Sequence, residues 1–510
     1  MNPDILAGLS DVLTVTNLLY ILAGVTIGQI VGAIPGLSII MALAIAIPLT
    51  FSLDALAAIA FLISVNKGGT VGGAVPSILM NLPGTPESAA TALDGHPMAK
   101  KGKPLKAMKY SLYYSFFGDI SSDIVLILVS APLALVALKM GPVEITALMI
   151  LAFTIIAGLV GNSIIKGLIA ATFGILLAQV GLDPGIASER LTFGMLDLYE
   201  GIHLTALSIG SLAMAEIVYA IVNSKKNDGP AQSVVIKSAN KTDERVTLKE
   251  LFANKFVAIR AFVIGTLIGA IPGLGSTTAG FLSYSITKQS AKDPESFGTG
   301  DARGIAATET ANSAVVGANL IPLLTLGIPG NIAAALLVSA MVIQGVQPGP
   351  LLFEEQGRLI YGMFGAMLIA NFANLLVGQF GMRFWAFVVS APKTVIYPAA
   401  MILCITGAYV VDGGIFAVYV MLAATLLGYL MRAYGFSIVA FIVAFLLTPQ
   451  LEQNVLKARL ITNDDISAIL DHPVALALLL VSILSIIYLG PRKRKMQQHS
   501  LNQDSSNGTR

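Results

Sequence analysis

A few polar side chains lie inside long apolar stretches of this sequence, and they are where chemistry could occur. Lys67 is the sharpest case, because it is the only ionisable residue between positions 55 and 86. An ionisable group inside a membrane-length apolar stretch is a functional candidate by default. We interpret Lys67 as a cation that offsets substrate charge or takes part in ion coupling. The alternative is a structural ion pair with Glu309.

Two asparagines, Asn66 and Asn312, occupy equivalent positions in two similar apolar segments. A buried amide without a hydrogen-bond partner is costly. The sequence leaves two roles open for these residues. Either they cap broken helices, or they bind substrate and ion.

Glycine and proline interrupt those two segments, NKGGTVGGAVPSILMNLPGTPES (66–88) and NSAVVGANLIPLLTLGIPGN (312–331). Proline removes a backbone donor and glycine permits non-helical turns. At membrane depth such breaks are tolerated only where the freed backbone groups meet protein or line a cavity. Helix N-termini exposed there attract anions, and unwound carbonyls coordinate cations. We therefore predict a substrate and ion site at the LPGTP and GIPGN turns.

The predicted residues fall into three groups. Those predicted to bind substrate or ion are Asn66, Lys67, Asn81, Thr85, Ser88, Asn312, Asn319, Thr325 and Asn331. Those predicted to break helices are Pro35, Gly36, Pro83, Gly84, Pro272, Gly273, Pro329 and Gly330. Gly28, Gly32, Gly265 and Gly269 stand at small-xxx-small spacing and are predicted to serve close helix packing.

Enzyme motifs are not found. GTGDARG (298–304) is not GxGxxG, and there is no Walker A lysine, HExxH or zinc-ligand spacing. We expect no enzymatic activity, no metal centre and no cofactor beyond a coupling ion, sodium or proton.

The composition gives the class of protein. Of 510 residues, 55% are hydrophobic and 12% are charged, against roughly 25% charged in soluble domains. Too few charges are present to cover a soluble surface. A net charge of +2 gives no reason to expect nucleic acid as a partner. The apolar residues run in blocks instead of alternating, which disfavours a β-barrel.

These blocks predict an all-α polytopic membrane protein with about twelve passages and some re-entrant or broken helices. The predicted spans are 13–33, 38–50, 55–80, 108–138, 142–160, 163–181, 204–222, 256–288, 305–345, 359–390, 394–411, 413–431, 435–448 and 473–490. A polar segment divides the chain into a first membrane repeat (1–222), a basic linker (223–255), a second membrane repeat (256–491) and a tail (492–510).

Positive charge predicts the orientation. The loop that holds Lys100, Lys101, Lys103, Lys106 and Lys109, the linker and the tail are basic, so we place all three in the cytoplasm. The N-terminal segment, with Asp4 and Asp11, is expected outside.

The two halves are similar to each other. GAIPGL occurs at 32–37 and at 269–274, an offset of 237, and four further residues of the first half recur at an offset of 246. The basic loop 100–109 corresponds to GVQPGPLLFEEQGR (345–358), where Glu354 and Glu355 face a single Arg358. Matched loops of opposite charge are typical of the inverted-topology repeats that secondary transporters use for alternating access.

With these motifs in hand, the chain resembles the large membrane subunit of the tripartite tricarboxylate transporters. The likeness is densest in GAIPGL, in LPGTPESAATALDGHPMAKKG (82–102) and from ESFGTGDARG to QGVQPGPLLF (295–353). The resemblance implies an ion-gradient-driven symporter for citrate or other carboxylates in the bacterial inner membrane. It also implies two partners, a small membrane subunit of about four helices and a periplasmic solute-binding protein.

The sequence departs from that family in one segment. Where the family usually has a pattern like YYGGxYGGSTTAIL, this chain has NKGGTVGGAVPSIL (66–79), and Ser313 stands where a second Asn is common. We hypothesise that Lys67 replaces a bound sodium ion. The function expected is import of an organic, tricarboxylate-like anion by alternating access. The alternatives are a passive anion channel and a permease of the same fold for a non-carboxylate solute.

Overall fold

Long apolar stretches form helices throughout the computed structural model. It describes residues 3–34, 37–159, 163–183, 185–224, 244–388, 393–411 and 414–485. Within these ranges the only strands are the two-residue pair Gly181–Leu182 and Glu189–Arg190, which are antiparallel. Seven helices of the described part of the chain are, by length and composition, long and apolar enough to cross a membrane. The predicted all-helical multi-pass class is confirmed, and the number of passages stays a prediction.

The first half of the chain is mostly helical over its described residues. In chain order, its helices are α1 Pro3–Val12, α2 Val15–Ala33, α3 Ile39–Ala46, α4 Ala55–Met80, α5 Ala92–Lys100, α6 Pro104–Ala137, α7 Pro142–Leu159, α8 Ile164–Ala178, α9 Leu204–Ser208 and α10 Ala215–Ser224. A π-helical turn, Ile209–Met214, joins the last two.

The second half continues the numbering. It holds α11 Leu248–Ala253, α12 Lys255–Gly269, α13 Gly275–Gln289, α14 Ala302–Ala318, α15 Leu320–Leu326, α16 Ile332–Ile343, α17 Leu352–Glu355, α18 Gly357–Val388, α19 Lys393–Val411, α20 Ile415–Ala433, α21 Ile438–Ile461 and α22 Pro473–Ser485.

Three predicted spans differ from the structure. Span 256–288 is two helices, α12 and α13, because Gly273 between them and Gly275, the first residue of α13, have φ of 90° and 67°. Span 305–345 is three helices, α14 to α16. Span 435–448 is too short, since α21 continues through Pro449 to Ile461.

The α-carbons form two compact units, and each draws on both halves of the chain. One unit comprises 1–135 and 212–414, and the other comprises 136–211 and 415–510. All the residues predicted to bind substrate or ion belong to the first unit. The described part of the predicted linker contains α11. Residues 225–243, residues 486–510 with the predicted tail (492–510), and Pro35 and Gly36 lie outside the described residues.

Helix α4 is the centre of the first unit, and it is buried along almost its whole length. Its N-terminus is capped by Asp54, whose Oδ1 accepts from the N–H of Ala57 at 3.0 Å. Helix α2 packs directly on it. A Cβ added at Gly28 would lie 2.2 Å from the carbonyl oxygen of Val65, so only glycine allows this approach.

The corresponding helices of the second half pack in the same way. A Cβ at Gly265 in α12 would lie 2.3 Å from the carbonyl oxygen of Ala311 in α14. Gly265 follows Gly28 by 237 positions and Ala311 follows Val65 by 246, the two offsets found in the sequence. The predicted packing role of these glycines is confirmed.

Candidate functional site

Lys67 lies in the middle of α4 with its side chain fully buried. Its Nζ atom donates to Oδ2 of Asp123 at 2.8 Å, to Oδ1 of Asn371 at 2.8 Å and to Oδ1 of Asp119 at 3.5 Å. An ammonium group has three hydrogens to donate. All three therefore have acceptors within the protein.

The alternative interpretation of Lys67, an ion pair with Glu309, is wrong, because its ion-pair partners are Asp119 and Asp123. Glu309 is buried in α14, and its carboxylate accepts from the hydroxyl of Thr91 and, at 2.7 Å, from that of Ser115. The carboxylate partner expected for a buried lysine does exist, but α6 supplies it through Asp119 and Asp123. Sequence spacing could not show which of the apolar helices lies beside α4.

The carboxylates of α6 are only partly satisfied. Asp123 also accepts from Nδ2 of Asn371 at 2.7 Å. Oδ2 of Asp119 and Oδ1 of Asp123 have no hydrogen-bond partner, although both atoms are buried. Buried polar atoms are nearly always paired, so two free carboxylate oxygens in one cluster point to an exchangeable partner.

A second polar layer adjoins this cluster. Nδ2 of Asn374 in α18 donates to the carbonyl oxygen of Lys67 at 3.2 Å. Gln29 in α2 donates through Nε2 to the carbonyl oxygen of Asn374 at 2.9 Å and to its Oδ1 at 2.5 Å. These bonds join α2, α4 and α18 and hold the backbone of Lys67 in place.

Residues 81–88, which we call the first tip, leave the helical path at the end of α4. Asn81 is exposed and has φ of 56°, and the N–H of Leu82 donates to the carbonyl oxygen of Pro76 at 3.4 Å. Gly84 then returns to α4 and donates its N–H to the carbonyl oxygen of Gly73 at 3.3 Å. This pattern is a glycine-type helix C-cap in which Asn takes the left-handed position.

Residues 327–331, the second tip, repeat this geometry at the end of α15. Gly327 has φ of 73°, and the N–H of Ile328 donates to the carbonyl oxygen of Pro322 at 3.2 Å. Each of these three residues lies 246 positions after its counterpart in the first tip. The carbonyl oxygen of Gly330 accepts from the N–H of Gly273 at 2.8 Å. Pro83, Pro272 and Pro329 accordingly all lie between helices.

Several predicted site residues bond to the backbone of their own turn. Ser88 donates to the carbonyl oxygen of Thr85 at 2.9 Å and lies 2.8 Å from the hydroxyl of Ser77. Thr325 donates to the carbonyl oxygen of Ile321 at 2.7 Å. Asn331 caps α16 by accepting from the N–H of Ala334 at 2.8 Å. These contacts stabilise the tips.

The remaining predicted residues are buried and less satisfied. Asn312 is buried, and neither its Oδ1 nor its Nδ2 has a partner. Oδ1 of Asn319 and Oγ of Ser313 also have none. A Cβ at Gly330 would lie 2.8 Å from the Cβ of Asn319, so Asn319 touches the second tip. Thr85 is buried against Gly73 in the same way in the first tip, and Asn66 is buried in α4.

The loop GTGDARG closes around a buried aspartate. Oδ1 of Asp94 in α5 accepts from the N–H groups of Gly298, Gly300 and Asp301 at 2.8 to 2.9 Å. Its other oxygen accepts from the hydroxyl of Tyr284 at 2.9 Å. The loop amides are therefore occupied by a protein carboxylate.

Arg303, the arginine of the GTGDARG loop, also forms an ion pair with Asp293. Arg303 donates from Nη1 and Nη2 to the two oxygens of Asp293, each at 2.8 Å. This paired hydrogen bond holds the pKa of Asp293 below its usual range.

Sequence reasoning missed part of the polar cluster. The residues it did not identify are Gln29, Thr91, Ser115, Asp119, Asp123, Asn371 and Asn374. A signal was present for two of them. Asp119 and Asp123 are acidic residues four positions apart in a predicted span, so they share one helix face, and the rule applied to Lys67 selects them equally.

These features define a polytopic helical membrane protein in which buried polar groups accompany two broken-helix tips, an arrangement found in secondary transporters. Residues 18–443 match the Tripartite tricarboxylate transporter TctA family, and the chain belongs to that family. It follows that the chain is a membrane protein of a tripartite transport system.

Two relatives come from Agrobacterium vitis. The chain is 32% identical over 480 residues to "Uncharacterized 52.8 kDa protein in TAR-I ttuC' 3'region", which covers 94% of each chain. It is 33% identical over 223 residues to "Uncharacterized protein in TAR-II ttuC' 3'region", covering 44% of this chain and 92% of the relative. No solved structure matches the chain.

Proposed function

We propose that this chain is the permease subunit of a secondary transporter that imports an organic carboxylate, driven by an ion gradient. One observation carries the proposal: the second tip contacts Asn319, whose Oδ1 is buried without a partner, and Asn312, seven positions earlier in the chain, has neither polar atom bonded. Asn312 and Asn319 present hydrogen-bonding groups that the protein itself does not use. Nδ2 of Asn312 can donate to a carboxylate, and the Oδ1 atoms of Asn312 and Asn319 are free acceptors. A group that is desolvated without a partner is costly unless a ligand completes it.

The substrate site follows from which polar groups are still available. Thr85, Asn312 and Asn319 have buried polar atoms without partners, and they form the proposed lining together with Asn66, the counterpart of Asn312 in the first half. Ser88, Thr325 and Asn331 shape the tips. Lys67 does not contact substrate in this conformation, since its ammonium group is fully engaged. It acts through coupling instead.

The repeated geometry supports alternating access. Both the packing of Gly28 and Gly265 and the caps of the tips recur at the sequence offsets. The basic loop 100–109 and its acidic counterpart, with Glu354 and Glu355, give the two halves opposite preferences for the cytoplasm. We infer inverted repeats in a bacterial inner membrane, with about twelve passages.

The family also suggests partners. Tripartite systems contain further subunits, and we propose a four-helix membrane protein and a periplasmic solute-binding protein as the partners of this chain. Genes for such proteins beside this one would support the proposal.

Transport in proteoliposomes tests the function. The full chain is reconstituted with the proteins encoded beside it, and uptake of labelled citrate and of other carboxylates is measured under an imposed sodium or proton gradient. Uphill accumulation is expected. Equilibration without accumulation would indicate a channel, and accumulation of a neutral or cationic solute alone would indicate the non-carboxylate alternative.

A matched pair of variants locates the site. Asn312→Ala is expected to abolish uptake. Ser482→Ala is the control, because Ser482 is also buried but bonds to the carbonyl oxygen of Leu478 within its own helix at 2.8 Å. If Asn312→Ala takes up substrate as well as Ser482→Ala does, Asn312 is not part of the substrate site.

A further inference from the structure

The cluster around Lys67 contains more carboxylates than ammonium groups. One ammonium lies between two carboxylates, those of Asp119 and Asp123, and the side chains of all three are at most 1% exposed. With every group ionised, the cluster carries one uncompensated negative charge. A buried charge of this kind is neutralised by a bound cation or by a proton.

The geometry favours a proton. The position between the two carboxylates, where a metal cation would be coordinated, is filled by Nζ of Lys67, with acceptors at 2.8, 2.8 and 3.5 Å. The unpartnered atoms are single carboxylate oxygens, Oδ2 of Asp119 and Oδ1 of Asp123. A carboxylate oxygen needs only one hydrogen to become a donor.

A second group points to the same place from another helix. Ser313 in α14 is fully buried, and its Oγ has no partner. It lies between Thr310 and Gly317 on one helix face. That face meets α6, because a Cβ at Gly118 would lie 2.4 Å from the carbonyl oxygen of Thr310, and a Cβ at Gly317 would lie 2.5 Å from Oδ1 of Asp123. An unused hydroxyl therefore faces the helix that carries the unused oxygens.

We propose that this cluster is the coupling site for one proton, with Asp119 as its acceptor; the proposal rests on the proposed function. Asp119 is the less firmly held carboxylate, at 3.5 Å from Nζ, whereas Asp123 has Nζ at 2.8 Å and Asn371 at 2.7 Å. On the outer side a hydronium ion gives up a proton and leaves as water, and the proton forms an O–H bond at Oδ2 of Asp119, which brings the cluster to zero charge. The same bond breaks on the inner side, where water takes the proton.

Other groups around Asp119 fit this assignment. Lys67 approaches from α4, Asn371 from α18, and Asp123 from its own helix. Within the described ranges, one further titratable group, Glu309 of α14, interacts electrostatically with Asp119. Hydroxyl donors, Thr91 and Ser115 among them, hold the Glu309 carboxylate in place.

Infrared spectroscopy tests the proton site without any substrate. Difference spectra of the purified full chain between acid and alkaline pH are expected to show the C=O band of a buried carboxylic acid. The band is expected to vanish in Asp119→Asn and to remain in Asp54→Asn, a control at an exposed helix cap. Absence of the band from the wild type, or its persistence in Asp119→Asn, would overturn the proposal.

Transport separates this proposal from the proposed function. In sodium-free proteoliposomes with an alkaline interior, radiolabelled citrate is expected to accumulate, and Asp119→Asn is expected to fall to the level of protein-free liposomes while it retains citrate exchange. Accumulation that requires sodium and ignores the pH gradient would overturn the proton site but leave the transporter. Equilibration under both gradients would overturn the transporter itself, and the infrared measurement would still decide whether Asp119 binds a proton.

Discussion

Nζ of Lys67 lies 2.8 Å from Oδ2 of Asp123, and neither side chain is exposed to solvent. The pair joins α4, which carries the first tip at its end, to α6. A buried ion pair contributes little net stability compared with apolar packing, but removing one partner is strongly destabilising. The pair is therefore poorly explained by stability alone, and variants can separate its structural role from its function.

Replacement of Lys67 by methionine is expected to lower the free energy of unfolding by about 3–5 kcal/mol, since it leaves two buried carboxylates unpaired. Thermal unfolding in detergent measures this. Uptake is expected to be lost although the protein still inserts into the membrane. Adding Asp123→Asn to Lys67→Met is expected to recover part of the stability but none of the uptake. Normal transport by Lys67→Met, with an unchanged ion requirement, would show that the lysine is only structural.

The orientation of the halves gives a topological prediction. In a Cys404→Ala background, which removes the single and buried cysteine, a cysteine at position 103 is expected to be labelled from the cytoplasm and one at position 354 from the periplasm. A membrane-impermeant maleimide applied to intact cells, then to inverted vesicles, measures both. Labelling of both positions from the same side would contradict the inverted repeat.

Alanine is expected to change the melting temperature differently at two glycines, Gly28, which is closely packed between α2 and α4, and Gly280, which has more space in α13. In Gly28→Ala the new Cβ would meet the backbone of α4 at 2.2 Å, and overpacking of this kind costs about 1–3 kcal/mol. Gly280→Ala in α13 is the matched control, because its nearest neighbour would lie at an ordinary 3.6 Å. Melting temperatures are expected to fall for Gly28→Ala and to stay level or rise for Gly280→Ala, in which alanine favours the helix. A similar fall in melting temperature in both variants would mean that the clash with α4 at Gly28 does not cause it.

How much the sequence can predict depends on whether a feature is local. The predicted bounds 55–80 of α4 are confirmed, because Asp54 and Asn81 mark the start and stop of that helix within the chain itself. The partner of Lys67 could not be predicted, since Asp119 lies on another helix. Apolar helices that are hydrophobic on every side give no periodic signal of which face meets which neighbour. The similarity of the two halves could be found because matching residues recur at fixed sequence offsets. The contacts of Gly28 and Gly265 follow the same offsets.

The loop that encloses Asp94 predicts a local effect. Asp94→Ala would leave the N–H groups of Gly298, Gly300 and Asp301 without their acceptor, and hydrogen bonds to a charged group are worth about 1.5–3 kcal/mol each. Faster proteolysis within residues 290–301 is expected, measured on the purified protein. Tyr284→Phe removes a single bond to the same carboxylate and serves as the milder control. Equal protease resistance in Asp94→Ala and the wild type would show that the loop holds its shape without this residue.

The unpaired amide of Asn312 leads to the last prediction, in which stability and function move in opposite directions. Asn312 is buried with both polar atoms unpartnered, a state that costs about 1–3 kcal/mol in protein mutational data. Asn312→Leu keeps the branching of the side chain at Cγ and removes its polar atoms, so its melting temperature is expected to rise while carboxylate uptake is lost. Ser339→Ala is the control, because Ser339 is buried in α16 but already bonds to the carbonyl oxygen of Ala335 at 3.1 Å. Its uptake is expected to equal that of the wild type. A fall in melting temperature with uptake intact would mean that Asn312 supports the fold and that the substrate site lies elsewhere.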